Sequence, residues 1–183
     1  TWLGEGTSAQ GDFHYGLNFA SVYQAPCVLV VVNNQWAIST HRNLAHGGPS
    51  FAARGIPYNV ASIRVDGQDL LAVYAAHKWA TERARAGHGP TLLEMYTYRG
   101  DSHSSSDDPS IYRPGDGYEN WPLGDPVDRL KAHLMKMGEW DDERHEALEA
   151  QCKDEIIVAY KEAEKHGTLK DGPFPPVTTL FED

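Results

Sequence analysis

Six consecutive apolar residues, Cys27-Val28-Leu29-Val30-Val31-Val32, stand between Pro26 and the pair Asn33-Asn34. The run is rich in β-branched side chains and has no polar alternation, the pattern of a strand buried on both faces. Such strands belong to parallel sheets with helices on either side, so this segment directs the chain toward an α/β fold. At six residues it falls far short of the roughly 20 needed to span a bilayer, and no membrane anchor is expected.

The flanking sequence agrees. After Gly4-Glu5-Gly6, the stretch from Asp12 to Tyr23 places Phe13, Leu17, Ala20 and Tyr23 at helical spacing, and Pro26 closes it. A second strand is expected over Ala61 to Val65, with Asp66-Gly67 as a turn. Asp69 is then the cap of a helix through Ala86 that carries Leu70, Val73, Tyr74, His77 and Ala84 along one face. Gly87-His88-Gly89-Pro90 stops that helix, and Thr91 to Tyr98 reads as a third strand. Strand alternating with helix predicts a parallel sheet covered by helices, and 183 residues make one domain, 1–183, the default.

Residues 99–122 are polar and turn-rich with no period of either kind, and a stretch of this length is expected to be functional or mobile. The 125–183 part reads as helices and a tail. One helix runs from Asp125 to Met137 through Val127, Leu130 and Leu134; another runs from Asp142 to His166 with Leu148, Cys152, Ile156, Ala159 and Ala163 on a stripe and Gly167 as its stop. Gly172-Pro173-Phe174-Pro175-Pro176 reads as extended.

Composition excludes several functions. Sixteen Lys and Arg against 26 Asp and Glu leave a net charge of −10, with no basic stripe to grip phosphate backbones, so nucleic acid is not an expected partner. Cys27 and Cys152 lack zinc spacing and read as buried thiols in a reducing compartment. The histidines give no His/His/carboxylate set. Trp2, Trp79, Trp121 and Trp140 read as packing anchors, and Asp107 and Asp108 as loop anchors for Arg99 or Arg113. Because the chain opens on Thr1-Trp2-Leu3 and runs straight into a glycine turn, it reads as entered at the end of a strand, with an earlier part absent. Missing targeting signals then carry little information.

Chemistry enters with two motifs taken together. Gly4-Glu5-Gly6 between a strand and a helix has the geometry in which backbone amides accept a diphosphate, yet alone it is equally a glycine turn with a solvated Glu. Asn33-Asn34 ends the very next strand, Asn34 lying 29 positions after Glu5. Adjacent strands of a parallel sheet end on one rim, so the Glu5 carboxylate, the Asn34 amide oxygen and a main-chain carbonyl placed at Trp36 form three oxygen ligands suited to Mg²⁺. The remaining positions suit a diphosphate and water.

Gly4-Glu5-Gly6, 26 intervening residues and Asn33-Asn34 resemble the thiamine-diphosphate binding motif. Asn33-Asn34-Gln35-Trp36-Ala37-Ile38-Ser39-Thr40, Ala53-Arg54-Gly55, Arg64-Val65-Asp66-Gly67, Thr97-Tyr98-Arg99 and His103-Ser104-Ser105-Ser106-Asp107-Asp108-Pro109 narrow the likeness. Over nearly its whole length the chain is similar to alpha subunits of the branched-chain 2-oxoacid dehydrogenase decarboxylase component. The resemblance implies a thiamine-diphosphate-binding α/β fold, incomplete here at the N-terminus. It implies Mg²⁺ held by Glu5, Asn34 and the carbonyl of Trp36, thiamine diphosphate contacted by Gly4, Gly6, Thr7 and Ile38, and His103 in the active site beside the cofactor. Residues 99–122 become an active-site loop, with Ser104 where mitochondrial relatives are phosphorylated.

The implied activity is oxidative decarboxylation of branched-chain 2-oxo acids, with the acyl group passed to a lipoyl acyltransferase core. The implied partner is a beta subunit in an α₂β₂ assembly, in a bacterial cytoplasm or a mitochondrial matrix. Glu5 stands where most of the wider family has Asp, and Val32 where some relatives have an arginine that helps bind the diphosphate. Two rival readings stay open: a pyruvate or acetoin dehydrogenase alpha subunit sharing the metal motif, and a non-catalytic truncated piece that only folds or dimerises.

Overall fold

The computed structural model describes residues 1–165, so His166 at the end of the expected Asp142–His166 helix, Gly167 as its stop and the extended tail lie outside the described residues. Four parallel strands form the sheet: β1 (Trp2–Gly4), β2 (Val28–Asn33), β5 (Ala61–Asp66) and β6 (Thr91–Tyr96), in the order β1-β2-β6-β5. Helix α1 (Gly11–Val22) joins β1 to β2, and α3 (Leu70–Arg85) joins β5 to β6. Between β2 and β5 lie a small antiparallel pair, β3 (Trp36–Ala37) with β4 (Thr40–His41), a four-residue helix α2 (Arg42–Ala45) and a 3₁₀ segment over Ala52–Tyr58. The parallel α/β reading therefore holds, and the small hairpin is an addition that the sequence periodicities did not announce.

The apolar run does what its composition demands. Alternate residues of β2 and β6 face opposite ways. Leu29, Val31 and Leu92 join Phe13 and Leu17 of α1, Phe51 and Val60 in one core; Val30, Leu93 and Met95 join Ala76 and Ala80 of α3 in the other. Asp69 caps α3 by accepting from the amides of Leu71 and Ala72 at 2.9 and 3.0 Å. The buried face of α3 is Ala76, Ala80 and Ala84, whereas Leu70 and Tyr74 are exposed. The expected face therefore had its direction misjudged: small residues are what let a helix approach a sheet of Val and Leu closely, and the larger side chains at 70 and 74 turn outward.

The described residues divide into two compact units, one over residues 1–132 and one beginning at residue 133. Helix α4 (Pro126–Lys136) begins in the first. In that unit Arg129 pairs with Asp66 at 2.7 Å, and Trp121 packs against Tyr96 and Tyr98 with ring centroids 5.2 and 5.1 Å away. In the second, Asp141 caps α5 (Asp142–Glu164) through the amide of Arg144, whose guanidinium lies over Trp140. The stripe expected on α5 is present as spacing but not as burial: no residue of that helix is buried, and Cys152 is exposed. Periodicity marks an apolar face, and burial additionally needs a surface to cover it. Cys27 is only half-buried, so neither cysteine is the fully buried thiol expected. Trp2, also expected to anchor packing, is 61% exposed and stacks on His77. Among the described residues no helix is long and apolar enough to cross a membrane.

Tyr118 donates its hydroxyl to Asp125, an interaction that pushes the phenol up to about 12 and holds the carboxyl below its usual range. The phenol's raised value means that its stabilisation is complete below the unfolded pKa near 10 and is lost as pH rises through about 12. Tyr118→Phe is therefore expected to cost roughly 1 kcal/mol at neutral pH, and to lessen the alkaline fall in melting temperature expected of the parent above pH 10. An identical alkaline fall in both proteins, read by circular dichroism, would contradict this.

Candidate functional site

The carboxyl ends of β1 and β2 lie side by side, because Gly4 pairs with Val32 and the amide of Glu5 extends the ladder to the Val32 carbonyl at 3.2 Å. Beyond the carboxyl ends of parallel strands is where open α/β sheets bind ligands. There Gly4, Glu5, Gly6, Thr7, Asn34, Trp36, Ile38 and His103 line one open cavity of about 440 Å³. Gln10 and Ala37 complete it, two residues whose side chains carry no chemistry that a sequence reading would notice. Ser104 is exposed on the 99–122 loop and is not part of that wall.

Glycine at position 6 answers to a close approach: a Cβ there would sit 2.6 Å from the Cβ of Ala37, well inside contact distance. The Glu5-Gly6 corner and the β3–β4 hairpin thus touch backbone to side chain, closing the cavity on one side. At Gly4 nothing lies within 4 Å of such a Cβ, which leaves its backbone open to a ligand. Thr7 begins a one-turn 3₁₀ segment, Thr7–Ala9, capped by Gly6.

Glu5 is 1% exposed, and its Oε1 has no hydrogen-bond partner among the described residues. Burial raises its pKa; nearby backbone amides, those of Asn34 and Trp36 among them, and the Arg99 charge offset this only in part. A desolvated carboxylate with an idle oxygen, lining one cavity with Asn34 and Trp36, is a hard oxygen donor of the kind that suits Mg²⁺. Asn34 uses its Oδ1 to accept from the Trp36 amide at 3.1 Å, which shapes the corner between β2 and β3. Trp36 itself is buried between His41 and Tyr112, with centroid distances of 4.8 and 5.5 Å.

Ile38 stands at the tip of the hairpin with φ +53°, and it is 53% exposed. A β-branched residue in the left-handed region is strained and persists only when its surroundings hold it there. Arg99 does the holding: its guanidinium donates to the Ile38 carbonyl at 2.9 Å and reaches the Trp36 carbonyl at 3.5 Å. The same side chain donates to the Tyr112 hydroxyl and lies 3.8 Å from Asp107. Asp107 accepts from Tyr112 at 2.6 Å and from the His103 amide at 2.8 Å, bonds that hold its carboxyl below the ordinary range. His103 is brought to the cavity by this chain of contacts.

Of the two expected acidic anchors, Asp107 does pair with Arg99, whereas Asp108 caps a short 3₁₀ turn at Pro109–Ile111. Arg113 bonds the carbonyls of Arg99, Gly100 and Asp101 rather than a carboxylate. Arg99 is the functional residue that the sequence reading undervalued; its position directly after a strand and before the histidine loop was the available signal.

Comparison with known proteins adds a second line. A family model described as Dehydrogenase E1 component matches residues 1–171. The 2-oxoisovalerate dehydrogenase subunit alpha of Pseudomonas aeruginosa is 55% identical over all of this chain and 45% of its own length. The mitochondrial 2-oxoisovalerate dehydrogenase subunit alpha of Bos taurus is 43% identical over all of this chain and 39% of its own. The pyruvate dehydrogenase E1 component subunit alpha of Acholeplasma laidlawii is 43% identical over 90% of the chain and 48% of its own. The chain thus spans under half the length of the curated relatives it matches.

Proposed function

The chain belongs to the dehydrogenase E1 component family, and on that premise we propose that it is the part of a branched-chain 2-oxoacid dehydrogenase alpha subunit that holds the cation and diphosphate of the cofactor. The observation that carries this reading is the Glu5 carboxylate, buried with an idle oxygen on the same cavity wall as Asn34 and Trp36. The family depends in general on thiamine diphosphate. The branched-chain preference draws support from the 55% identity to a 2-oxoisovalerate dehydrogenase alpha subunit, against 43% to a pyruvate dehydrogenase alpha subunit.

In this reading Glu5, Asn34 and the Trp36 carbonyl hold Mg²⁺, while Gly4, Gly6 and Thr7 offer backbone to the diphosphate. When bound, thiamine diphosphate supplies an electron sink for the pair released as CO₂ leaves a 2-oxo acid. The chain's own residues bind and orient. The side chain of Ile38 is apolar surface at the cavity that excludes water, and His103 holds or passes a proton at its ring nitrogens, as imidazoles do. Arg99 keeps the hairpin and the histidine loop together. A phosphate on Ser104 would bring up to about two negative charges into the loop ordered by Asp107, close to where an anionic substrate must enter. The partners are a beta subunit, supplying the other wall of the site in an α₂β₂ assembly, and a lipoyl acyltransferase core that receives the acyl group. The compartment is a bacterial cytoplasm or a mitochondrial matrix.

Calorimetric titration of thiamine diphosphate with Mg²⁺ tests this directly. Heat is expected with the parent chain, none when EDTA replaces Mg²⁺, and none with the Glu5→Ala, Asn34→Ala double variant. Binding that survives EDTA or the double substitution would remove these residues from the site.

A further inference from the structure

Glu94 lies in the middle of β6, the central strand, and is 0% exposed. A carboxylate in such a place is costly unless every lone pair is used. Its Oε1 accepts from the Asn33 side-chain amide at 2.7 Å and from Arg64 Nε and a terminal guanidinium nitrogen at 3.0 and 2.9 Å; its Oε2 accepts from the Ala52 amide at 2.9 Å. An apolar residue here would serve the surrounding core of Leu29, Val31 and Leu92 at least as well, so packing does not account for the charge.

The directionality of these bonds does. A carboxylate only accepts, so Asn33 must turn its NH₂ toward Glu94 and its Oδ1 the other way. That oxygen accepts from the backbone amide of Gln35 at 3.3 Å and from its side-chain amide at 3.1 Å. Gln35 is thereby held at φ +76°, a left-handed conformation that an ordinary side chain adopts reluctantly. The Gln35 side chain also donates to the Thr97 carbonyl at 3.1 Å, tying the turn to the end of β6. On either side of that single left-handed residue stand Asn34 and Trp36.

We propose that Glu94 is a positioning residue for the cation site: it dictates which end of the Asn33 amide faces the turn, and the turn in that form presents Asn34 and the Trp36 carbonyl beside Glu5. This inference rests on the reading of Glu5, Asn34 and Trp36 given above, but concerns a different residue that touches neither cation nor cofactor.

The test is a polarity swap. Glu94→Gln has one oxygen for the four donors that meet Glu94, so its NH₂ must face a donor whichever way the amide turns, and Asn33→Asp sets two carboxylates face to face; each alone is expected to weaken thiamine diphosphate binding in the presence of Mg²⁺ roughly tenfold or more, the usual effect of losing a group that orients metal ligands. The Asn33→Asp, Glu94→Gln double variant reverses donor and acceptor while keeping the net charge and an oxygen toward Gln35. It is expected to recover affinity to within about threefold of the parent, by the donor and acceptor matching that governs buried pairs. The amide resonance of Gln35 in a ¹⁵N spectrum should move in both single variants and return in the double, a signature that loss of bulk stability does not produce. Glu94→Asp keeps the charge opposite Arg64 and guards against a single variant that fails to fold; its shortened reach is expected to weaken binding as well.

A Glu94→Gln chain that binds like the parent while Glu5→Gln does not would overturn the role of Glu94 alone, as would a folded double variant with no recovery. A parent chain that does not bind, or a Glu5→Gln chain that does, would overturn the cation site and the inference with it.

Discussion

Replacing Glu5 by Gln should raise the melting temperature of the metal-free chain and at the same time abolish its Mg²⁺-dependent binding of thiamine diphosphate. The two effects share one cause. Glu5 is buried with one oxygen unpaired, and burial raises its pKa above the ordinary 4.5. A raised carboxyl holds its proton in the folded state after the unfolded chain has released it. Stability therefore declines as pH rises from 4.5 through the folded value, and the penalty is complete above that value. Gln carries no charge to desolvate, and because leaving a buried polar group unsatisfied costs about 1–3 kcal/mol and more when it is charged, removing the charge is worth a gain on the order of 1–3 kcal/mol. For a domain of this size that corresponds to a rise of roughly 2–12 °C at pH 7.5. At pH 4, where the carboxyl is protonated in both states, the difference should largely vanish. A Gln variant that melts below the parent at pH 7.5 without metal would mean that the carboxylate serves the fold rather than a cation.

Removing Arg99 should have the second large effect, and it should be local. This guanidinium, one-tenth exposed, meets the carbonyls of Trp36 and Ile38 on the hairpin and the Tyr112 hydroxyl and Asp107 on the loop. Arg99→Ala takes away every one of those bonds and leaves Ile38 in its left-handed conformation unsupported. Hydrogen exchange at the His103 amide, which is bonded to Asp107, is expected to speed up at least tenfold, while amides of β2 and β6 stay protected. Acidification should imitate the variant only far down the scale. The Tyr112 hydroxyl and the His103 amide hold the Asp107 carboxyl below its ordinary 3.8. A depressed carboxyl contributes order that is present above that value and is lost as pH falls through the lower folded one. The loop should therefore survive pH 5 intact. Unchanged exchange at His103 in the variant, or loss of protection between pH 6 and 5, would separate the loop from Arg99.

The sheet was legible because its strands are uniform. Val28 to Val32 could be nothing but a strand covered on both faces, and Asp69 with Gly87 bracketed a helix whose ends the structure reproduces within a residue or so. The cavity was legible for another reason: Glu5 and Asn34 belong to adjacent parallel strands, so their distance along the chain translates directly into proximity. What could not be read were contacts made across long separations by residues of ordinary type. Arg99 to Ile38 spans 61 positions, as does Asn33 to Glu94, and neither pair leaves a periodic trace. The α3 face went astray because a stripe of alanines carries little hydrophobic signal, although small size was the property that mattered. On α5 the spacing was right and the inference from spacing to burial was not.

The strand order has a consequence for how the molecule comes into being. Among the described residues β6 is the last strand, yet it lies between β2 and β5, which do not pair with each other. During synthesis β1, α1 and β2 can assemble as soon as they emerge, bringing the Glu5 and Asn34 segments together by a short loop closure. Until residue 91 follows, however, the Val-rich β2 has a bare edge and no neighbour to cover it, a condition that invites association with other nascent strands. Glu94 arrives with the strand that ends this exposure, so the corner from Asn33 to Trp36 acquires its final hydrogen bonds as β6 docks. Substitutions that slow the insertion of β6 should therefore first show themselves as lost yield on the ribosome and as aggregates, and only among the survivors as altered affinity.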